Sequence, residues 1–298
     1  MFATLLGGLP RPPLGEGASL DALVEAAVRA QEAAGLDPVT DGGFFGEDRP
    51  VDAWRATAAL TDRAVKQAIT GPYTAARRTG PDTGADVEAD VLDRARTLNA
   101  VLREIARAGC PLIEVHEPAA TAIGDDLAAR ELFSAAHRRL LDGVSGTHLS
   151  LAITGGNADR AGIATILAAP YASLAVDLIA GPDNWRLVVA TPADRGIVCG
   201  ALPAAEGTDD GPEPLLWAAG YAASTGGRGP LRVGLATASS LADLSWPVAL
   251  RKLDRLGEAA RLADLPSRER SRHLDPRAVS SRSAALGQVE RGPGDAPT

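Results

Sequence analysis

The chain has 298 residues, 45% of them hydrophobic, with a formal net charge of -8 and two cysteines. That composition supports a large core, yet no apolar run approaches the ~20 residues needed to span a bilayer. The acidic balance argues against a nucleic-acid binder, and two cysteines within apolar runs argue against a disulfide framework.

What remains is a cytoplasmic protein that handles small molecules, with neither a nucleic-acid nor a membrane partner expected and the oligomeric state left open. The start, MFATLLGGLPRPP, lacks a basic region and a long apolar segment, so it does not read as a signal peptide.

Taken in chain order, short β-prone runs alternate with helical patterns. Strands are expected at Ala3–Leu6, Leu36–Thr40, Val65–Thr70, Leu112–His116, His148–Ile153, Ser173–Leu178, Gly196–Ala201 and Leu231–Ala236. Each is apolar nearly throughout, as for parallel strands covered on both faces. Between the first two, Ser19 caps a helix whose Leu20, Leu23, Val24, Ala27 and Val28 share one face, and Gly35 closes it. Further helices are expected over Asp52–Arg63, around Leu92–Ile105 before Gly109, and over Asp125–Leu141, Asp159–Ala168, Pro214–Ser224 and Trp246–Leu262, with a short one around Asn184–Ala190.

Eight strand–helix units point to an α/β fold, a closed (β/α)8 TIM barrel over residues 1–265, with an open doubly wound sheet as the competitor. From Pro266 the pattern dissolves into polar, Pro- and Ser-rich sequence, and residues 266–298 are expected to form a disordered tail. Lys66 and Lys252, the two lysines of the chain, read as compositional bias.

In such barrels chemistry sits at the C-terminal ends of the strands. There His116 is the acid/base candidate, with Glu117 and Asp177 to orient it or a substrate. Gly7, Gly8, Asp41, Gly42, Thr70, Asn157 and Ser239 are the candidate ligand-binding positions. Plainer roles compete with each of these: Glu117 before Pro118 suits an acceptor of backbone N–H groups, Asp41 suits a turn cap, and the paired glycines suit tight turns. His148, near a strand start, and Cys199, in an apolar run, read as structural. A metal site of His116, Asp177 and Asp41 is conceivable, but nothing in their spacing requires it.

Four stretches in order carry a family resemblance: LLGGLPRP, AVRAQEAAGLDPVTDGGF, VKQAITGPYTAA and ARAGCPLIEVHEPAA. Over residues 3–263 they resemble the catalytic barrel of cobalamin-independent methionine synthase, within the superfamily that includes uroporphyrinogen decarboxylase. The resemblance implies a TIM barrel and transfer of a methyl group from a methylated folate to a thiol bound on zinc. It also implies where the zinc ligands should lie, and here the sequence departs from it. Ala152 and Thr154, or in an offset alignment His148 and Ser150, stand at two ligand positions, Asp177 at a third and Ser239 at the fourth. Neither cysteine ligand is present, and Gly43 and His116 replace the carboxylates that hold an amino group. No zinc or other cofactor is therefore expected, while a methylated folate stays admissible as a substrate. The leading expectation is a zinc-independent or divergent one-carbon transferase acting on a small polar organic ligand. Its rival is a non-catalytic binding protein that kept the barrel, and a genuine methionine synthase comes third.

Overall fold

The computed structural model describes residues 1–46, 48–79, 85–207 and 211–274. Its elements in chain order are β1 (Phe2–Thr4), α1 (Leu20–Ala34), α2 (Pro50–Ala58), β2 (Lys66–Thr70), α3 (Pro72–Thr79), α4 (Ala85–Arg107), β3 (Leu112–His116) and α5 (Leu127–Leu141). There follow β4 (His148–Ile153), α6 (Ile163–Leu167), β5 (Ser173–Asp177), α7 (Trp185–Ala190), β6 (Gly196–Leu202), α8 (Glu213–Ser224), β7 (Val233–Thr237), α9 (Trp246–Asp264) and α10 (Ser267–Arg270).

The strands form one seven-stranded sheet in the order β1-β7-β6-β5-β4-β3-β2, every pair parallel. The sheet curls until its edge strands, β1 and β2, flank the same segment. Asp37 N donates to Ala3 O at 3.0 Å on one side, and on the other Val39 N donates to Ala64 O and Lys66 N to Val39 O, both at 2.9 Å. The strand expected at Leu36–Thr40 is reduced there to a single parallel bridge, Val39 to Val65. Pro38 explains the shortfall, because it has no N–H to offer a ladder; the Asp37–Pro38 peptide is cis.

Helices cover the outside. Ser19 accepts from Ala22 N at 3.2 Å to start α1, and Gly35, in the left-handed region at φ 89°, ends it. Outward-facing Ile113, Val115, Leu151 and Ile153 pack under Leu102, Ile105, Phe133 and Leu140 in the main core. The inward face is lined instead by a smaller cluster of Leu6, Ala152, Ala175, Val198 and Ala236, with Phe2 against it. Small side chains on this face leave room within the curl of the sheet.

Helix α2 ends at Ala58, short of Arg63, and α3 is a helix over a stretch for which the sequence pattern predicts none. Of the tail, Ser267–Arg270 is one turn of helix and residues 275–298 lie outside the described residues. No helix among the described residues is long and apolar enough to cross a membrane.

Candidate active site

A cavity of about 310 Å³ opens where the C-terminal ends of β2 and β3 meet the loops after β1 and β7 and the segment after Thr40. Its deepest chemistry comes from strand parity. Glu114 and His116 are two residues apart on β3 and so face the same way, into the curl. Lys66, first residue of the neighbouring β2, extends its long side chain up to them. Lys66 Nζ lies 2.8 Å from Glu114 Oε1 and donates to Leu5 O at 2.8 Å. His116 Nε2 lies 2.8 Å from the same Glu114 oxygen.

The lysine and glutamate side chains are 1% and 2% exposed, the histidine 18%. Burial opposes ionisation of Glu114, but the Lys66 ammonium and the His116 hydrogen bond outweigh it and hold the carboxyl at about 2. An ionised carboxylate can only accept, so His116 Nε2 carries the proton in this contact and Nδ1 is left with a lone pair in the neutral ring. A base with a fixed tautomer therefore sits in the cavity wall, backed by a buried ion pair.

The structure distributes the other candidates unevenly. Gly7, Gly8, Asp41 and Thr70 line the same cavity as His116, whereas Glu117, Asp177, Gly42, Asn157 and Ser239 do not. Glu117, one residue on from His116, turns away beneath α3. It is completely buried and accepts from Tyr73 N at 3.0 Å, Thr74 N at 2.7 Å and Thr74 Oγ1 at 2.5 Å, satisfying free N–H groups at the start of that helix. His137 Nε2 comes within 3.2 Å of Glu117 Oε1, yet the pair is not aligned for a hydrogen bond and Nε2 stays without a partner. The other ring nitrogen of His137 pairs with Tyr171 at 2.7 Å. The Tyr171 hydroxyl is pushed well above the phenol range by burial first and the Glu117 charge second.

Asp177 is buried and accepts from Gly155 N at 3.0 Å, Ile179 N at 2.9 Å and Ala180 N at 2.8 Å. Asp41 accepts from Gly43 N at 2.9 Å and Phe45 N at 3.0 Å. Asn157 exchanges hydrogen bonds with Asp183. Ser239 is half-buried, and its neighbour Ser240 is the one that reaches the cavity, accepting from Gly8 N at 3.1 Å. Gly7 has φ +77°, and a Cβ there would stand 2.7 Å from Ser240, so glycine is required for packing as well as for backbone conformation.

Lys66 and Glu114 are the residues that sequence reasoning missed. Both break otherwise apolar strands that must be covered on each face, and a charge in such a place needs an opposite charge beside it.

The positions implied for a thiolate zinc centre do not fit one. Ala152 belongs to the inward apolar cluster, and the Asp177 carboxylate accepts from the backbone N–H groups of Gly155, Ile179 and Ala180. His148 Nε2 lies 2.8 Å from Ser173 Oγ at the opposite, N-terminal end of the strands. Among the described residues no three His, Cys, Asp or Glu side chains converge on one point. A wider hollow of about 950 Å³ lies on the outer surface between α3, α4 and α5, lined by residues such as Arg77, Glu88, Asp126 and Arg138. The smaller cavity, where buried polar groups converge, is the candidate site.

No family model and no curated protein matches the sequence. Solved structures do match. A B12-independent methionine synthase from Shewanella sp. W3-18-1, solved with selenomethionine, superposes with a TM-score of 0.74 at 16% identity, over 87% of this chain and 96% of that one. A protein from Listeria monocytogenes described as a vitamin-B12-independent methionine synthase gives 0.67 at 16% identity, over 89% and 97%. A methyltransferase from Methanosarcina mazei gives 0.53 at 15% identity, over 85% and 70%. At these identities the likeness is one of fold.

Proposed function

We propose that this chain is a divergent member of the cobalamin-independent methionine synthase barrels, a methyltransferase-like enzyme that acts on a small polar organic substrate without a thiolate zinc centre. In this reading the curled sheet is a (β/α)8 barrel whose eighth strand position is filled by the segment around Val39. The observation that carries the reading is the Lys66–Glu114–His116 network at the base of the cavity. His116 Nδ1 takes the proton from a substrate S–H, N–H or O–H group. The freed electron pair then forms the new bond to the one-carbon unit, and the bond from that unit to its donor breaks with its electrons left on the donor. Glu114 holds the ring in position and carries the charge opposite the imidazolium, and Lys66 keeps Glu114 ionised. A methylated folate is one admissible donor.

A second reading, a ligand-binding barrel without catalysis, is favoured by the carboxylates at the strand ends. Glu117, Asp177 and Asp41 all spend their oxygens on backbone N–H groups. The two readings separate in a methyl-transfer assay with 5-methyltetrahydrofolate and a panel of small thiols, run on the wild type and His116→Gln. Turnover that the substitution abolishes supports the enzyme. Saturable binding with no turnover on any acceptor would move the protein to the second reading.

A further inference from the structure

We infer that the ligand of this cavity carries an oxyanion, a carboxylate or a phosphate, held between Lys66 and Arg78, and presents a protic group to His116. This rests on the reading of the cavity as the ligand site, and the argument is one of hydrogen-bonding capacity left over. On the acceptor side, Glu114 Oε1 is already shared by Lys66 and His116, and both oxygens of Asp41 are taken by the N–H groups of Gly43 and Phe45. On the donor side, an ammonium has three N–H groups, and Lys66 spends two, on Leu5 O and Glu114 Oε1.

Arg78, at the end of α3, lines the same cavity, and its guanidinium has no ion pair or hydrogen bond with the described residues. Tyr73 and Arg77 interact one turn earlier on the same helix, so the neighbouring arginine is already engaged where Arg78 is not. Gly7, Gly8 and Gly43 line the same cavity, with Ser240 packed against Gly7. The Lys66 and His116 contacts of Glu114 both use Oε1, and Oε2 takes no hydrogen bond from the described residues. Together with the His116 Nδ1 lone pair it calls for a proton donor on the ligand, and an anion lacking a protic group would fill only half of the site.

The test is isothermal titration calorimetry on the full chain with inorganic phosphate, succinate and the neutral thiol 2-mercaptoethanol. The variants are Arg78→Gln and, as a remote control on α9, Arg251→Gln. Arg78 is exposed, so its substitution leaves folding intact. Saturable binding of phosphate or succinate is expected, weakened about tenfold to a hundredfold in Arg78→Gln, as for loss of a hydrogen bond to a charged group, and unchanged in Arg251→Gln. The tighter of the two anions identifies the oxyanion as phosphate or carboxylate. Equal affinity in wild type and Arg78→Gln, or no saturation by either anion, would overturn the inference. Binding of 2-mercaptoethanol alone, read as a shift of the His116 ring resonances, would overturn it while leaving the cavity as the ligand site. Full turnover in His116→Gln alongside Arg78-dependent anion binding would sink the catalytic reading and leave this inference standing.

Discussion

Glu114 and His116, two residues apart on β3, meet over a 2.8 Å hydrogen bond on the inner face of the sheet, and the bond fixes which imidazole nitrogen carries the proton. The expected neutral tautomer has hydrogen on Nε2. Two-bond 15N–1H correlation spectra of the ring, taken above the histidine titration, read this directly. A ring protonated on Nδ1 would remove His116 as the base facing the cavity. With a substrate in hand, His116→Gln should cost about 10²- to 10⁴-fold in turnover, the usual worth of a positioned acid or base.

The buried ion pair makes stability depend on acid. Glu114 titrates at about 2 in the fold against an ordinary 4.5. A depressed carboxyl stabilises the fold fully above its unfolded value, and that stability is lost as pH falls from about 4.5 towards 2. The loss should be about 3 kcal/mol, measured by urea unfolding across that window. Lys66→Met should flatten this part of the profile. Glu114→Gln, which strands the Lys66 ammonium, should cost about 3–5 kcal/mol at neutral pH. An unchanged acid limb in Lys66→Met would show that the pair is not the source.

Glu117 should behave quite differently from its neighbour. A Cβ on Gly71 would stand 2.2 Å from Glu117 Oε1, so Gly71→Ala must push the carboxylate off the N-terminus of α3. The expected cost is about 1–3 kcal/mol, as for overpacking in a filled core, with a fall in melting temperature. Glu117→Gln should also destabilise the fold, since an amide cannot accept at both oxygen positions. Neither change should alter ligand affinity in the fraction that stays folded; a selective loss of affinity would place Glu117 in the site.

The thiols offer a check on packing. Burial pushes Cys110 up to about 11 and Cys199 up to about 12, and both side chains are enclosed. The native protein should therefore react with Ellman's reagent only at the rate of unfolding, and both thiols should react at once in denaturant. Rapid labelling of either in the native state would contradict the packing around it.

Much of this was legible in the sequence, and for physical reasons. Apolar runs of strand length, the Ser19 cap and the Gly35 terminator each carry local information, so alternating strands and helices could be placed along the chain. Pro38 also spoke locally, but an apolar run around it outweighed its missing N–H. His116 stood out because an imidazole at a strand end is rare. Lys66 did not, because its meaning depends on Glu114, a residue on another strand. The register that sets Ala68 beside Glu114, and so brings Lys66 within reach, is a property of the sheet that local sequence does not encode. Glu117 and Asp177 misled for the complementary reason. A carboxylate at a strand end looks the same in sequence whether it meets a substrate or the backbone of the next turn.

The sheet has a seam between β1 and β2, where among the described residues the backbone is bridged through the segment around Val39 by single bonds in place of a ladder. Parting along that line would break single bonds in place of a strand ladder, so amide exchange should be fastest there. Lys66 sits on the seam's β2 side through its backbone N–H and bonds across to Leu5 on the β1 side through its ammonium. A molecule that tightens around Lys66 would therefore act as a clasp, and occupancy of the cavity should be felt as slowed exchange at Val39 and Lys66, on the side of the curled sheet that gives most easily.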